Sequence, residues 1–192
     1  MDASGGEKQR LFVAVPLPDE LQGFVHSAQT LLSTAPGLRL LRPDQLHLTL
    51  VFIGEVDEGR EAASRAVVDS LPVDIGGEGL ISRFLPLPSA TKTRVVTLEV
   101  VDGEGVLAGL FTRVMGGLEE AGVMERDKRP FRPHFTIARL RTPGPVQPRS
   151  ESGQARFAVE SVCLYKSELK REGAAYTVLA RAAFARKDGA KT

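Results

Sequence analysis

The feature that most constrains this chain is a four-residue stretch that occurs twice. His47-Leu48-Thr49-Leu50 lies in the run from Leu46 to Ile53, and His134-Phe135-Thr136-Ile137 in the run from Pro133 to Leu140. Both runs are short, apolar, rich in β-branched or aromatic residues and bounded by Gly or Pro, which reads as strand. Successive strand side chains point to opposite faces, so His and Thr at i and i+2 share a face and stand roughly 6–7 Å apart. Leu48, Leu50 and Phe52 then face a core in the first copy, and Phe135 and Ile137 do so in the second. Only three histidines occur in the chain, and two of them hold these matching positions. The plain reading of either pair alone is a half-buried strand making structural hydrogen bonds. Two copies of the same parity point instead to chemistry.

The repeat extends around the motif. The order strand, helix, motif strand appears first as Leu11–Val15, Leu21–Leu32 and Leu46–Ile53, then as Arg94–Val101, Leu107–Ala121 and Pro133–Leu140. The helical stripes begin 86 positions apart (21 to 107) and the histidines 87 (47 to 134). So constant an offset predicts two similar lobes about a pseudo-twofold axis, with His47 facing His134 across a cleft.

Elsewhere the elements follow from periodicity and punctuation. Leu21, Phe24, Val25, Ala28, Leu31 and Leu32 form one helical stripe, stopped by Ala35-Pro36-Gly37. His26 shares the opposite face with Gln22, Gln29 and Ser33, which makes it a surface residue. Arg60–Leu71 is predicted as a second helix, and Leu107–Ala121, with Gly122 as its cap, as a third. Leu80–Leu87 reads as strand, and Gly54 is expected to end the first motif strand. Thr142–Gln154, rich in Pro, Gly and Ser, reads as a surface loop. Arg156–Tyr165 and Ala175–Phe184 read as two strands joined in a hairpin across Lys170–Gly173.

At 192 residues with 42% hydrophobic content, the chain is expected to form one domain over 1–192, with polar tails at 1–9 and 186–192. No stretch approaches the roughly 20 apolar residues of a membrane span, and residues 1–9 lack the apolar segment of a signal peptide. The single cysteine, Cys163, excludes an internal disulfide and suits a reducing cytoplasm. Its apolar strand makes it a small core residue rather than a nucleophile. The net charge of +1 gives no global argument for nucleic acid. Locally, six cations (Arg126, Lys128, Arg129, Arg132, Arg139, Arg141) stand against Glu125 and Asp127. This run brackets His134 and so reads as an anion-attracting rim, for which Arg132 within the run and Arg42 outside it are the candidate residues.

The HxTx pair, one copy per half, resembles that of the two-histidine (2H) phosphoesterases. The opening Arg10-Leu11-Phe12-Val13-Ala14-Val15-Pro16-Leu17-Pro18 resembles the first strand of the bacterial and archaeal RNA 2′,3′-cyclic phosphodiesterases, once called 2′-5′ RNA ligases. Val51-Phe52-Ile53-Gly54-Glu55-Val56, Arg139, and Leu164-Tyr165-Lys166-Ser167-Glu168-Leu169 with Tyr176 are similar to theirs too, so the likeness runs from about Arg10 to Phe184. It implies a bilobal α+β fold with antiparallel sheets lining a central cleft and helices outside. It implies hydrolysis of an RNA or nucleotide 2′,3′-cyclic phosphate to a 2′-phosphate, with 2′-5′ ligation as the close alternative. A module that only binds nucleotides or RNA ends would not need two proton-transfer groups. It also implies an arginine at 139 beside the phosphate. Strict alternation turns Arg139 away from His134, so that role requires the strand to end or bulge at Ala138. Lys166 and Ser167 match the family's ending without a derived role.

Two opposed imidazoles, with an ordinary pKa near 6.5, suit paired acid–base cleavage of a phosphodiester. Thr49 and Thr136 hydroxyls are placed to bond the non-bridging oxygens. No cofactor is implied, nor a metal: the set lacks the three or four ligands of a divalent site. No obligate protein partner is evident. The cationic run is expected to lower the pKa of His134, making it the base, while Asp44 helps His47 hold the acid proton.

Overall fold

The computed structural model of the chain describes residues 8–32, 36–127, 129–170 and 173–185. The three apolar stripes become helices α1 (Gln22–Thr30), α2 (Glu58–Asp69) and α3 (Val106–Glu120). A 3-10 turn at Asp19–Leu21 leads into α1. Asp57 caps α2 by accepting from the Arg60 N–H at 2.9 Å. Gly122, at φ 66°, ends α3, since only glycine holds that conformation without a Cβ penalty. No helix among the described residues is long and apolar enough to cross a membrane.

Nine strands make up the rest: β1 (Gln9–Pro16), β2 (Leu38–Leu40), β3 (His47–Val56), β4 (Gly77–Leu87), β5 (Thr93–Val101), β6 (His134–Gly144), β7 (Ala155–Val159), β8 (Ser161–Lys170) and β9 (Gly173–Ala183). All pair antiparallel in the order β7-β4-β5-β6-β3-β1-β8-β9, with β2 added to β6. The motif strands β3 and β6 are central, and each is flanked by the first strand of its own repeat, β1 and β5. A pseudo-twofold axis between β3 and β6 generates that order. The two halves meet at one ladder pair, Leu48 with Phe135, so the cleft is lined by one curled sheet splayed at its middle. Leu48, Leu50, Phe135 and Ile137 are buried on the opposite face. There α3 lies against β3 and β4, and α2 against β8, β9 and α3. The two halves thereby share a core, and the fold is α+β with its helices outside the cleft.

Several expectations need correcting. Gly54 does not end β3; at φ 92° it sits inside the strand, next to Ile53, which the β1 register skips. Arg156–Tyr165 is not one strand. The chain breaks at Glu160, where β7 leaves the edge beside β4 and β8 begins beside β1 in the other half. The expected loop from Thr142 is strand as far as Gly144, and it buries Val146. Gln29 is buried rather than solvated, whereas His26 is exposed as expected. Ser33, Ala35, Lys128, positions 171–172 of the hairpin turn and both chain ends (1–7, 186–192) lie outside the described residues.

Candidate active site

Matching irregularities in the two motif strands build the site. The β1–β3 register steps from Val13–Val51 to Ala14–Thr49, leaving Leu50 unopposed, and the β5–β6 register steps from Val96–Ala138 to Thr97–Thr136, leaving Ile137 unopposed. Each bulge puts two neighbouring side chains into the core, Leu50 with Val51 and Ile137 with Ala138, and reverses the alternation beyond. Arg139 and Phe52, each five positions after its histidine, are thereby turned onto the His-Thr face. The condition set on Arg139 is met. Phe52, expected in the core, is 48% exposed for the same reason. The β6 bulge is braced from behind: Gln29 of α1 donates from Nε2 to the carbonyls of Ile137 (2.9 Å) and Leu41 (2.8 Å).

Both histidines are oriented in one way. His47 Nδ1 lies 3.0 Å from the Gln45 carbonyl and His134 Nδ1 2.6 Å from the Arg132 carbonyl, in each case the residue two before. A carbonyl only accepts, so Nδ1 carries the hydrogen and Nε2 is left as the free acceptor in the neutral ring. The Leu48–Phe135 pair, carried one position each way, sets His47 beside Thr136 and Thr49 beside His134. Each histidine thus stands opposite the other half's threonine in the strand register.

Their surroundings differ. His47 is packed among aromatics, with ring centroids 4.7 Å from Phe12, 5.1 Å from Tyr176 and 6.1 Å from Tyr165. Burial pushes its pKa down to about 4; the Gln45 carbonyl opposes this, and the charges of Arg139 and His134 reinforce it. His134 is also lowered, first by burial and then by the Arg132 charge, against the Arg132 carbonyl. Desolvation therefore outweighs charge at both rings: the lowering of His134 expected from its cations is present, with burial as the larger cause. Asp44 does not support a protonated His47. It is held by Arg42, with Nε to Oδ1 at 3.0 Å and Nη2 to Oδ2 at 2.8 Å, so the Arg42 side expected at the rim is turned to Asp44. In the basic run, Arg129 pairs with Asp127 and Arg126 lies 4.0 Å from Glu119, while the charge of Arg139 acts on His47 and that of Arg132 on His134. β5 sets Glu99 opposite His134, and that carboxylate is bound by Arg83 at 2.6 Å.

A cavity of about 370 Å³ opens at this face, lined by His47, Thr49, Phe52 and Arg139, with Phe12 and Tyr176 behind. His134 and Thr136 are not in that lining and join the site through the strand pairing alone. Among the described residues no three His, Cys, Asp or Glu side chains gather as metal donors. The aromatics around His47 and the backbone partners of both rings were not singled out by sequence. Phe12, Tyr165 and Tyr176 had a signal, since all fall in the stretches that carried the resemblance, but none in their spacing.

Comparison with known proteins agrees with this geometry. A family model described as the 2′-5′ RNA ligase superfamily matches residues 17–171. The chain is 33% identical over 181 residues to an RNA 2′,3′-cyclic phosphodiesterase of Thermus thermophilus, covering 88% of this chain and 87% of that one. It is 31% identical over 175 residues to one of Archaeoglobus fulgidus, at 87% and 96% coverage. The crystal structure of Escherichia coli LigT in apo form superposes with a TM-score of 0.77 at 29% identity, covering 94% of this chain and all of that one. On the sequence match, the architecture and the doubled His-Thr site together, the chain belongs to the 2′-5′ RNA ligase superfamily.

Proposed function

We propose that this protein, acting as one domain, is an RNA 2′,3′-cyclic phosphodiesterase that opens a terminal 2′,3′-cyclic phosphate to a 2′-phosphate. The observation that carries this is the pair of imidazoles whose Nδ1 atoms are tied to backbone carbonyls, leaving two Nε2 atoms for proton transfer on one sheet face. The relatives named for this activity support it. In the mechanism the more depressed ring, His47, stays neutral and takes a proton from the attacking water at Nε2. The oxygen–phosphorus bond to the new hydroxyl forms while the bond to the ribose 3′ oxygen breaks. His134, as imidazolium, donates its Nε2 proton to that oxygen. Thr49 and Thr136 hydroxyls donate to the non-bridging oxygens and Arg139 offsets their charge. Phe52, exposed beside them, offers a ring face to the base. This assignment of the two roles reverses the expectation from sequence. Its single buried cysteine, Cys163, suits a reducing cytoplasm. Incubation with adenosine 2′,3′-cyclic phosphate and an oligoribonucleotide ending in the same group tests the proposal. Conversion to the 2′-phosphate supports it, and recovery of both substrates unchanged rejects it.

A further inference from the structure

A second cavity, of about 300 Å³, adjoins the first; the two share Arg10, Ser167 and Leu169, and the second adds Lys8, Lys166, Glu55 and Glu168. Their junction is set by the ladder. Phe12, packed on His47, and Arg10 are two apart on β1, so Arg10 lies on the same face roughly 6–7 Å farther from the histidine. Arg10 pairs with Ser167 on one side and Glu55 on the other. Its guanidinium lies 4.8 Å over the Phe52 ring, a stacking that orients the plane while leaving its edge N–H groups for an anion. Among the described residues it forms no ion pair. Glu168 is taken up by Lys166 (3.3 Å) and Lys170 (3.9 Å), which leaves Glu55 as the opposing charge. Leu169, 79% exposed, adds an apolar surface at the same junction.

We infer that this second cavity binds the next phosphodiester of a single-stranded RNA. Arg10 and the Ser167 hydroxyl are its ligands, Lys166 supplies supporting charge, and Leu169 packs against the intervening nucleotide. The inference rests on the proposed hydrolysis of cyclic-phosphate RNA ends. There, every further nucleotide extends 5′ of the reacting group and needs a track leading away from His47. A mononucleotide leaves this cavity empty, so the structure favours RNA ends over free cyclic nucleotides.

The test compares kcat/KM for adenosine 2′,3′-cyclic phosphate and for a tetra-adenylate ending in the same group. The tetranucleotide is expected to be preferred by about tenfold or more, mainly through KM. That preference should weaken with salt, by a log–log slope of about −0.7 for each phosphate contacted. Arg10→Gln and Lys166→Gln should each shrink the tetranucleotide-to-mononucleotide ratio, and Glu55→Gln should enlarge it. Equal kcat/KM for the two substrates, or a ratio unmoved by Arg10→Gln, overturns the inference while leaving the hydrolysis intact. If neither substrate is hydrolysed, the proposed function fails instead. Anisotropy of a labelled tetranucleotide 2′-phosphate with the wild type and Arg10→Gln then still decides, and equal affinities reject the second site.

Discussion

His47 and His134 share a motif, a backbone-carbonyl partner and a neighbouring threonine, yet only His47 is walled by aromatic rings. Replacing either by Ala should cut hydrolysis by roughly 10²-fold or more, and His26→Ala, on the exposed face of α1, should have no effect. An activated leaving group needs no proton from the acid. It should therefore rescue His134→Ala and leave His47→Ala impaired, and the opposite rescue would restore the sequence-based assignment. The pH dependence follows from the same contrast. A base at His47 with a pKa near 4 is competent above that value. An acid at His134, lowered from the ordinary 6.5, is lost as pH rises through its pKa. The kcat/KM profile should be a bell with its maximum on the acid side of neutrality. Stability carries a matching sign. Between about 4 and 6.5 the unfolded chain binds more protons at His47 than the folded one, so stability rises with pH through that window and falls on acidification. Thermal melts of the wild type and His47→Ala at pH 4.5 and 7 measure it, and the pH effect should be smaller in the variant.

At the scale of the element, the two bulges decide which side chains accompany the histidines. Without them Phe52 and Arg139 would lie in the core, as plain alternation requires. Gln29 satisfies the Ile137 carbonyl at the β6 bulge, so it positions Arg139 without touching substrate. Gln29→Leu should lower kcat/KM several-fold and cost about 1–3 kcal/mol of stability by leaving buried carbonyls short of a donor. A double-mutant cycle separates positioning from general damage. Gln29→Leu should add little to the activity lost in Arg139→Ala, while its stability cost remains. Neither bulge was legible locally. Ile137-Ala138 and Leu50-Val51 are ordinary strand residues, and only the partner strand's register reveals that one residue is skipped.

Across the whole molecule, the half that holds His47 is split along the chain, with β1 and β3 before the run β4 to β7 and β8 and β9 after it. β7 completes the edge of the half that holds His134, and one residue later β8 is beside β1 in the other. Helix α3 packs on β3 of one half and on β4 of the other, and also on α2, so it ties the two halves together. The protein should therefore unfold in one transition. Both tyrosines, Tyr165 and Tyr176, stand near His47, and the chain has no tryptophan. Dichroism in the near-ultraviolet tyrosine band thus reports one half and far-ultraviolet the entire sheet; separate midpoints would show the halves melting independently. Phe135, fully buried where the halves meet, should cost about 3–5 kcal/mol on replacement by Ala. Activity should persist in excess EDTA, since the residues set for the reaction are imidazole, hydroxyl and guanidinium groups. A loss that Mg²⁺ restores would refute that mechanism.

The sequence by itself determined what is periodic or repeated: the three helical stripes, the inward Leu48, Leu50, Phe135 and Ile137, the paired His-Thr faces and the twofold order around them. Those properties are local, because side-chain direction follows from the period of the element and the constant offset of the repeat needs no coordinates. Tertiary structure decided the rest. The break at Glu160 has no Gly or Pro to mark it, since what ends β7 is a change of partner strand. The exposure of Phe52, the approach of Arg139 and the burial of Gln29 depend on register against β1, β5 and the β6 carbonyls. The difference between the two histidines came last of all. It is a desolvation effect of rings contributed by β1, β8 and β9, and nothing in the charges beside either motif foretold it.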